Sequence, residues 1–182
     1  MTKTYAFAEP NNLQTTDEPK RYEAKNLVKY SVKIAKHFPV AHYKAGELTN
    51  FKEKILAMEK IHTIRKNYAW WKKRFEKLNN EKAILIGEEW MGRPYYSGKN
   101  VLFLAPSPAL QCLRFCSNGD ILIDGELWFK AENWETGVRI LAHNDGLTVE
   151  EFNGWFVDKK TGFLPEDQDL ALIHFLKETK YN

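Results

Sequence analysis

The feature that most constrains this chain is a succession of short alternating apolar runs, separated by turn residues and short helical segments, with no strand–helix–strand rhythm. Val28, Tyr30, Val32 and Ile34 alternate within 27–38, and Ile61–Arg65 alternates again. Further strand-like runs cover Ala83–Trp90, Val101–Ala105, Leu110–Cys116, Ile121–Asp124 and Leu170–Leu176. Asn118-Gly119 is a hairpin signal between two of them. Helical spacing is confined to a segment near 50–59, Tyr68–Asn80, Trp134–His143 and a helix opened by the Thr148…Glu151 capping box. Five or six strands with a few short helices predict an α+β fold built on a small curved or closed sheet.

At 182 residues the chain suits one domain, and 43% hydrophobic content excludes wholesale disorder. Residues 1–26 are polar and aperiodic, which predicts a flexible N-terminal arm ahead of a domain over 27–182. No apolar run approaches the ~18 residues of a membrane span, and the first ten residues lack an apolar signal core. A soluble, cytoplasmic protein without a membrane partner is expected. Cys112 and Cys116 fit neither a disulfide framework nor a zinc site and read as small buried hydrophobes. The five histidines are dispersed, so neither a metal nor a cofactor is expected. Glu88 and Glu89 face opposite ways on a strand and are no paired-carboxylate device.

Charge is uneven. Residues 1–100 carry 20 Lys+Arg against 11 Asp+Glu, a surplus of nine, whereas 101–182 carry 7 against 13. A basic half can steer an anionic partner, nucleic acid being the commonest, or can be a set of solvated helix faces.

Two stretches carry candidate chemistry. Thr49, Asn50 and Glu53 look like a helix start, and that helix delivers the chain to Lys60-Ile61-His62-Thr63-Ile64-Arg65. Alternation there places Thr63 and Arg65 on one strand face, His62 and Ile64 on the other. A lysine at a helix-to-strand junction can be partly desolvated, which lowers its pKa and lets it act as a base. The second stretch, Asn144-Asp145-Gly146-Leu147-Thr148, sets an acid at a glycine turn before a capped helix. Amine, hydroxyl and carboxylate are the parts of an activated nucleophile, and equally good parts for hydrogen-bonding a base or phosphate. The trio could also be an edge-strand surface, and Asp145 an ordinary turn residue.

Trp90–Lys99 is a turn-rich aromatic loop. Tyr95 and Tyr96 offer stacking faces and Arg93 and Lys99 phosphate contacts, or the loop covers a core edge. Trp70 and Trp71 cannot both enter one apolar stripe, so one is exposed or covered by the N-terminal arm.

The Lys-x-x-Thr-Ile-Arg run after a helix, the later Asp-Gly-Leu-Thr with Glu151-Phe152, and the closing alternating strand together resemble the ASCH (activating signal cointegrator homology) domain over roughly residues 30–178. The resemblance implies a PUA-like β-barrel, here with a helical and aromatic insert around 66–100. It also implies RNA or nucleoside recognition, with DNA possible, in a pocket framed by Lys60, Thr63, Arg65 and Asp145. His62, Arg93, Tyr95 and Tyr96 are further candidate contacts. A small bacterial branch of the family hydrolyses the amide of N4-acetylcytidine with a Lys, a Thr and a Glu. Carried over, Lys60 is the activator, Thr63 the nucleophile and Asp145 the acid/base partner, with Asp in place of Glu. Whether the chain is an amidohydrolase or a binding module stays open at this stage. A protein-interaction adaptor is a third class; it accounts for the tryptophans and leaves the polar trio without a role.

Overall fold

A computed structural model describes residues 28–80, 83–93, 95–105, 107–157 and 164–181. The N-terminal arm expected over 1–26 lies outside the described residues. The fold is mixed α+β, with two sheets and four short α-helices among the described residues.

The first sheet has the order β1-β3-β4, from β1 (Val28–Lys33), β3 (Ala83–Trp90) and β4 (Lys99–Ala105). β1 runs parallel to β3, in register from Val28↔Ala83 to Lys33↔Glu88. A parallel pair needs a long crossover. Here it is supplied by α1 (Phe51–Leu56), β2 (His62–Arg65) and α2 (Tyr68–Asn80). The expected absence of strand–helix–strand connections is therefore corrected at this one place.

The second sheet has the order β2-β8-β5-β6-β7 and is antiparallel throughout. Its strands are β2, β8 (Leu170–His174), β5 (Ala109–Phe115), β6 (Ile121–Ile123) and β7 (Glu126–Phe129). β8 lies between β2 and β5, and all five of its residues are buried. Neither sheet closes into a barrel among the described residues. β1, β3 and β4 pair among themselves while β2 departs to β8, so the chain leaves the first sheet and returns to it before building the rest of the second.

α2 spans Tyr68–Asn80, as its stripe of Trp71, Phe75 and Leu78 predicts, and all three are buried. Trp70 faces solvent, its ring covered by the Arg74 guanidinium at 3.7 Å. α1 is shorter than expected. Asn50 takes a left-handed conformation (φ 55°) without a side-chain cap, and Met58, again left-handed (φ 59°), turns the chain towards β2. The Thr49 hydroxyl donates to the Ala35 carbonyl at 2.7 Å and accepts from the Phe51 amide, the first of α1, at 3.4 Å. The first strand ends at Lys33, five residues early, and Ile34 and Ala35 continue as irregular chain.

β7 was not anticipated. Asp124 (φ 55°) and Gly125 (φ 84°) form a two-residue turn of mirror-image type between paired Ile123 and Glu126. Cys112 and Cys116 are half-buried instead of buried, because Cys112 shares the outward positions of β5 with Arg114 while Leu113 and Phe115 turn in. Burial still pushes the Cys112 thiol up to about 11.

The core joins the two sheets. Phe103 of β4 meets Phe175, just beyond β8, with ring centroids 4.5 Å apart. The Phe103 ring lies directly over Gly87, where any Cβ would overlap it, and the β3–β4 register shifts at that glycine. α3 (Trp134–Asn144) and α4 (Val149–Phe156) pack on one another beyond the second sheet. The Thr148–Glu151 capping box that opens α4 forms as read from sequence.

Candidate functional site

The site is built where the end of α3 meets the start of β2. α3 ends at Asn144 and is closed by Gly146, which is left-handed (φ 71°): the amides of Gly146 and Leu147 turn back to the carbonyls of His143 and Ala142, both at 2.9 Å. This is the paired closing pattern that a glycine after a helix permits. It leaves Asp145 facing Lys60: the two form an antiparallel backbone bridge, and the Ile61 amide donates to the Asn144 carbonyl at 2.9 Å. A Cβ on Gly146 would lie 3.0 Å from Lys60 Cβ, so the missing side chain is what lets the segments approach.

Side chains repeat the backbone contact. Lys60 is 1% exposed and Asp145 3%. Lys60 Nζ donates to the Asp145 carboxylate and, at 2.8 Å, to its carbonyl. The ammonium also stands 4.2 Å from the centroid of Phe51, the first residue of α1. Burial lowers the Lys60 amine to about 8; Asp145 pushes it back up and the nearby Arg65 cation presses it down. Burial likewise raises the Asp145 carboxyl, although Lys60, Arg65 and the Ile64 amide all favour its charged form. In both groups desolvation outweighs the pairing, the usual condition of ion pairs removed from water.

Thr63 and Arg65 line the same cavity, as the period-two alternation of β2 requires. Arg65 donates to its neighbour Ile64's carbonyl at 2.8 Å and to the Lys33 carbonyl, tying β2 to the end of β1. Phe51, Trp155, Phe156, Leu147, Ile34 and Ala35 complete the walls. Phe51 and Trp155 are in ring contact at 5.8 Å. The cavity is about 10 Å³, room for one water molecule.

The four residues expected to frame the pocket are thus together. His62 is not among its walls. It points to the other side of β2, buried with its ring 5.7 Å from His174 and 5.8 Å from Tyr181, and burial holds it well below the ordinary histidine range. Its role as a ligand contact loses its geometric basis for a simple reason: one residue along a strand reverses the face. Arg93, Tyr95 and Tyr96 lie on the β3–β4 connection, also outside the cavity. Arg93 stands over Tyr96 at 4.7 Å.

The aromatic wall was not identified from sequence. In sequence, Trp155 and Phe156 are indistinguishable from the apolar face of any short helix. The missing signal is the loop before α1, where Lys44 pairs with Glu151 at 2.9 Å and His42 Nε2 bonds the Glu151 carbonyl at 2.9 Å, which fixes the placement of α4.

Two wider clefts share Ile34 and Ala35 with the cavity: one of about 530 Å³ beside Trp90, and one of about 230 Å³ beside Thr49 and Lys52. A further cleft, about 630 Å³, lies at the far end of β5 between Phe115–Gly119 and Ala131–Thr136 and holds none of these groups. Among the described residues no group of three or more His, Cys, Asp or Glu is placed to hold a metal ion, and no helix is long and apolar enough to cross a membrane. Chemically, the arrangement offers a buried cation, a carboxylate and a hydroxyl beside flat aromatic walls. No protein-family model, curated protein or solved structure matches the chain.

Proposed function

We propose that this chain is a nucleoside- or nucleic-acid-binding module of the ASCH/PUA-like type, with Lys60, Thr63, Arg65 and Asp145 as the polar end of its pocket. The observation that carries the reading is the convergence of these four groups, from segments 85 residues apart, on one cavity walled by Phe51, Trp155 and Phe156. A nucleobase needs both elements: donors and acceptors for its edge, and aromatic faces for its rings. Because the cavity holds only a water-sized space, a base enters by displacing the Ile34–Ala35 segment or the end of α4.

Calorimetric titration of the purified chain with the four ribonucleosides tests this. Binding of at least one, weakened by Thr63→Val and by Arg65→Leu in folded variants, is expected. Four silent titrations at millimolar ligand, with folded protein, would sink the reading.

A second reading, an amidohydrolase on an acylated nucleoside, is favoured by Lys60 and Thr63 lining one cavity, where burial lowers the Lys60 amine to about 8. In that reaction neutral Lys60 accepts the Thr63 proton as Oγ1 attacks the amide carbonyl, and Asp145, the acid/base partner hydrogen-bonded to the Lys60 amine, relays that proton to the departing amine. Water afterwards releases the acid from the ester, restoring Thr63. A mass-spectrometric time course with N4-acetylcytidine, wild type against Lys60→Ala, decides it. Product that vanishes in a folded mutant supports catalysis, and no product from wild type removes it.

A further inference from the structure

The cleft of about 530 Å³ outside the cavity is formed by the chain leaving β1, Lys33 to His37, and by Trp90, Met91 and Gly92 at the end of β3. Ile34 and Ala35 border both spaces, so the two adjoin at that segment. Two ammonium groups flank the indole of Trp90, Lys99 at 4.9 Å and Lys33 at 5.5 Å from the ring. Tyr95 stands 5.3 Å from the same indole and is 87% exposed, and Tyr96, 79% exposed, carries Arg93 over its face. Lys36 adds a further exposed cation. Opposing these are Glu88, ion-paired with Lys33, and Glu89, which borders the neighbouring cleft. Cations therefore outnumber carboxylates, and they alternate with aromatic faces.

We propose that the ligand is a single-stranded oligonucleotide rather than a free nucleoside: one base occupies the Lys60–Asp145 cavity while an adjoining nucleotide stacks on Trp90 in the outer cleft, beside Tyr95, its phosphates met by Lys33, Lys36 and Lys99. This rests on the base-binding reading of the inner cavity and extends it outward. Stacking platforms interleaved with lysines are how sequence-tolerant single-strand sites work: rings take base faces and ammonium groups follow the backbone. A free nucleoside would leave this surface without a role. Duplex is disfavoured because its bases are already stacked.

The test is fluorescence anisotropy of the whole chain with labelled oligouridylate and oligothymidylate of about eight nucleotides, within the span of such sites, beside calorimetry with the free nucleosides. The oligonucleotide should bind at least tenfold more tightly than any nucleoside. Tyr95→Ala and Trp90→Ala should each weaken it about 5- to 100-fold, the range expected for one lost stacking partner. Lys99→Ala should lower the slope of log affinity against log salt by roughly one phosphate contact. Tyr95 is so exposed that its variant tests the proposal even if Trp90→Ala fails to fold. Nucleoside binding that needs Thr63, with oligonucleotide affinity unmoved by Tyr95→Ala and Lys99→Ala, would overturn this inference and leave the inner site standing. Oligonucleotide binding that needs Trp90 and Tyr95 but ignores Thr63 and Arg65 would remove the inner site and its link to the cleft. No binding of either ligand would remove both.

Discussion

Lys60 and Asp145 meet twice, once as partners in a backbone bridge and once as a buried ion pair. The double contact joins the start of β2 to the end of α3 and fixes where the cavity lies. Its energetics follow from the cost of removing both charges from water, and they lead to the first prediction.

Lys60→Met and Asp145→Leu should each lower stability by about 3–5 kcal/mol, because each leaves one charge buried alone. The double variant should be less destabilised than either single one. Urea unfolding of all four proteins gives the coupling directly. Strictly additive losses would show that the pair is not coupled.

The same pair predicts a pH dependence. With the folded Lys60 amine at about 8 and its ordinary value at 10.5, the unfolded chain holds more protons between those limits, so this contribution to stability rises with pH across that window. The Asp145 carboxyl is raised above its ordinary 3.8, so there the folded chain holds the extra proton and stability falls as pH climbs towards the raised value. Subtracting the denaturation curve of the Lys60→Met/Asp145→Leu protein from that of wild type should expose both slopes. A difference that does not change above pH 8 would contradict the lysine assignment.

His174 acts at the acid end with the opposite sign to Asp145. Burial depresses it from 6.5 to about 3, so the unfolded chain takes up a proton that the folded chain refuses, and stability is lost as pH falls through that window. His174→Phe should flatten the acid limb between those values. Melting temperatures measured in steps from pH 7 to 3.5 check it.

Gly146→Ala should cost about 1–3 kcal/mol, since the new Cβ combines a left-handed backbone with contacts of 3.0 Å to Lys60 Cβ and 3.2 Å to Lys54 Cδ. It should also disturb nucleoside affinity, because the strain falls on the stem of Lys60. Unchanged stability in chemical denaturation would show that the segment relaxes freely.

The adjacent tryptophans of α2 should behave as opposites. Trp71→Ala removes a ring 6% exposed and should cost about 3–5 kcal/mol, whereas Trp70→Ala removes one 44% exposed and should cost under about 1 kcal/mol. Thermal melts of the two variants suffice.

The sequence was most readable where the signal is local. α2 matches residue for residue because three large apolar side chains recur at helical spacing; the capping box at Thr148 and the turn at Asn118-Gly119 likewise depend on neighbours only. The grouping of Lys60, Thr63, Arg65 and Asp145 was legible from strand alternation together with the family resemblance. What local reasoning could not reach was pairing at a distance. Nothing around Val28 announces Ala83 as a parallel partner, and nothing around Trp155 announces Phe51. The Asp124-Gly125 pair is a turn signal, but Leu127 and Trp128 lack the alternation that marks a half-buried strand after it. The burial of Lys60 was foreseen only in part, since it requires a glycine 86 positions away to permit the approach.

The place of β2 in its sheet has a consequence for the order of assembly. Among the described residues β2 is an edge strand with β8 as its one neighbour in the sheet, His62 lying opposite His174. On a ribosome adding about 5–20 residues per second, Thr63 and Arg65 have left the exit tunnel several seconds before their partner strand is made. The polar end of the cavity is therefore a late product of synthesis. Until residues 170–174 emerge, β2 is an unpaired edge, open to chaperones and to pairing with other chains.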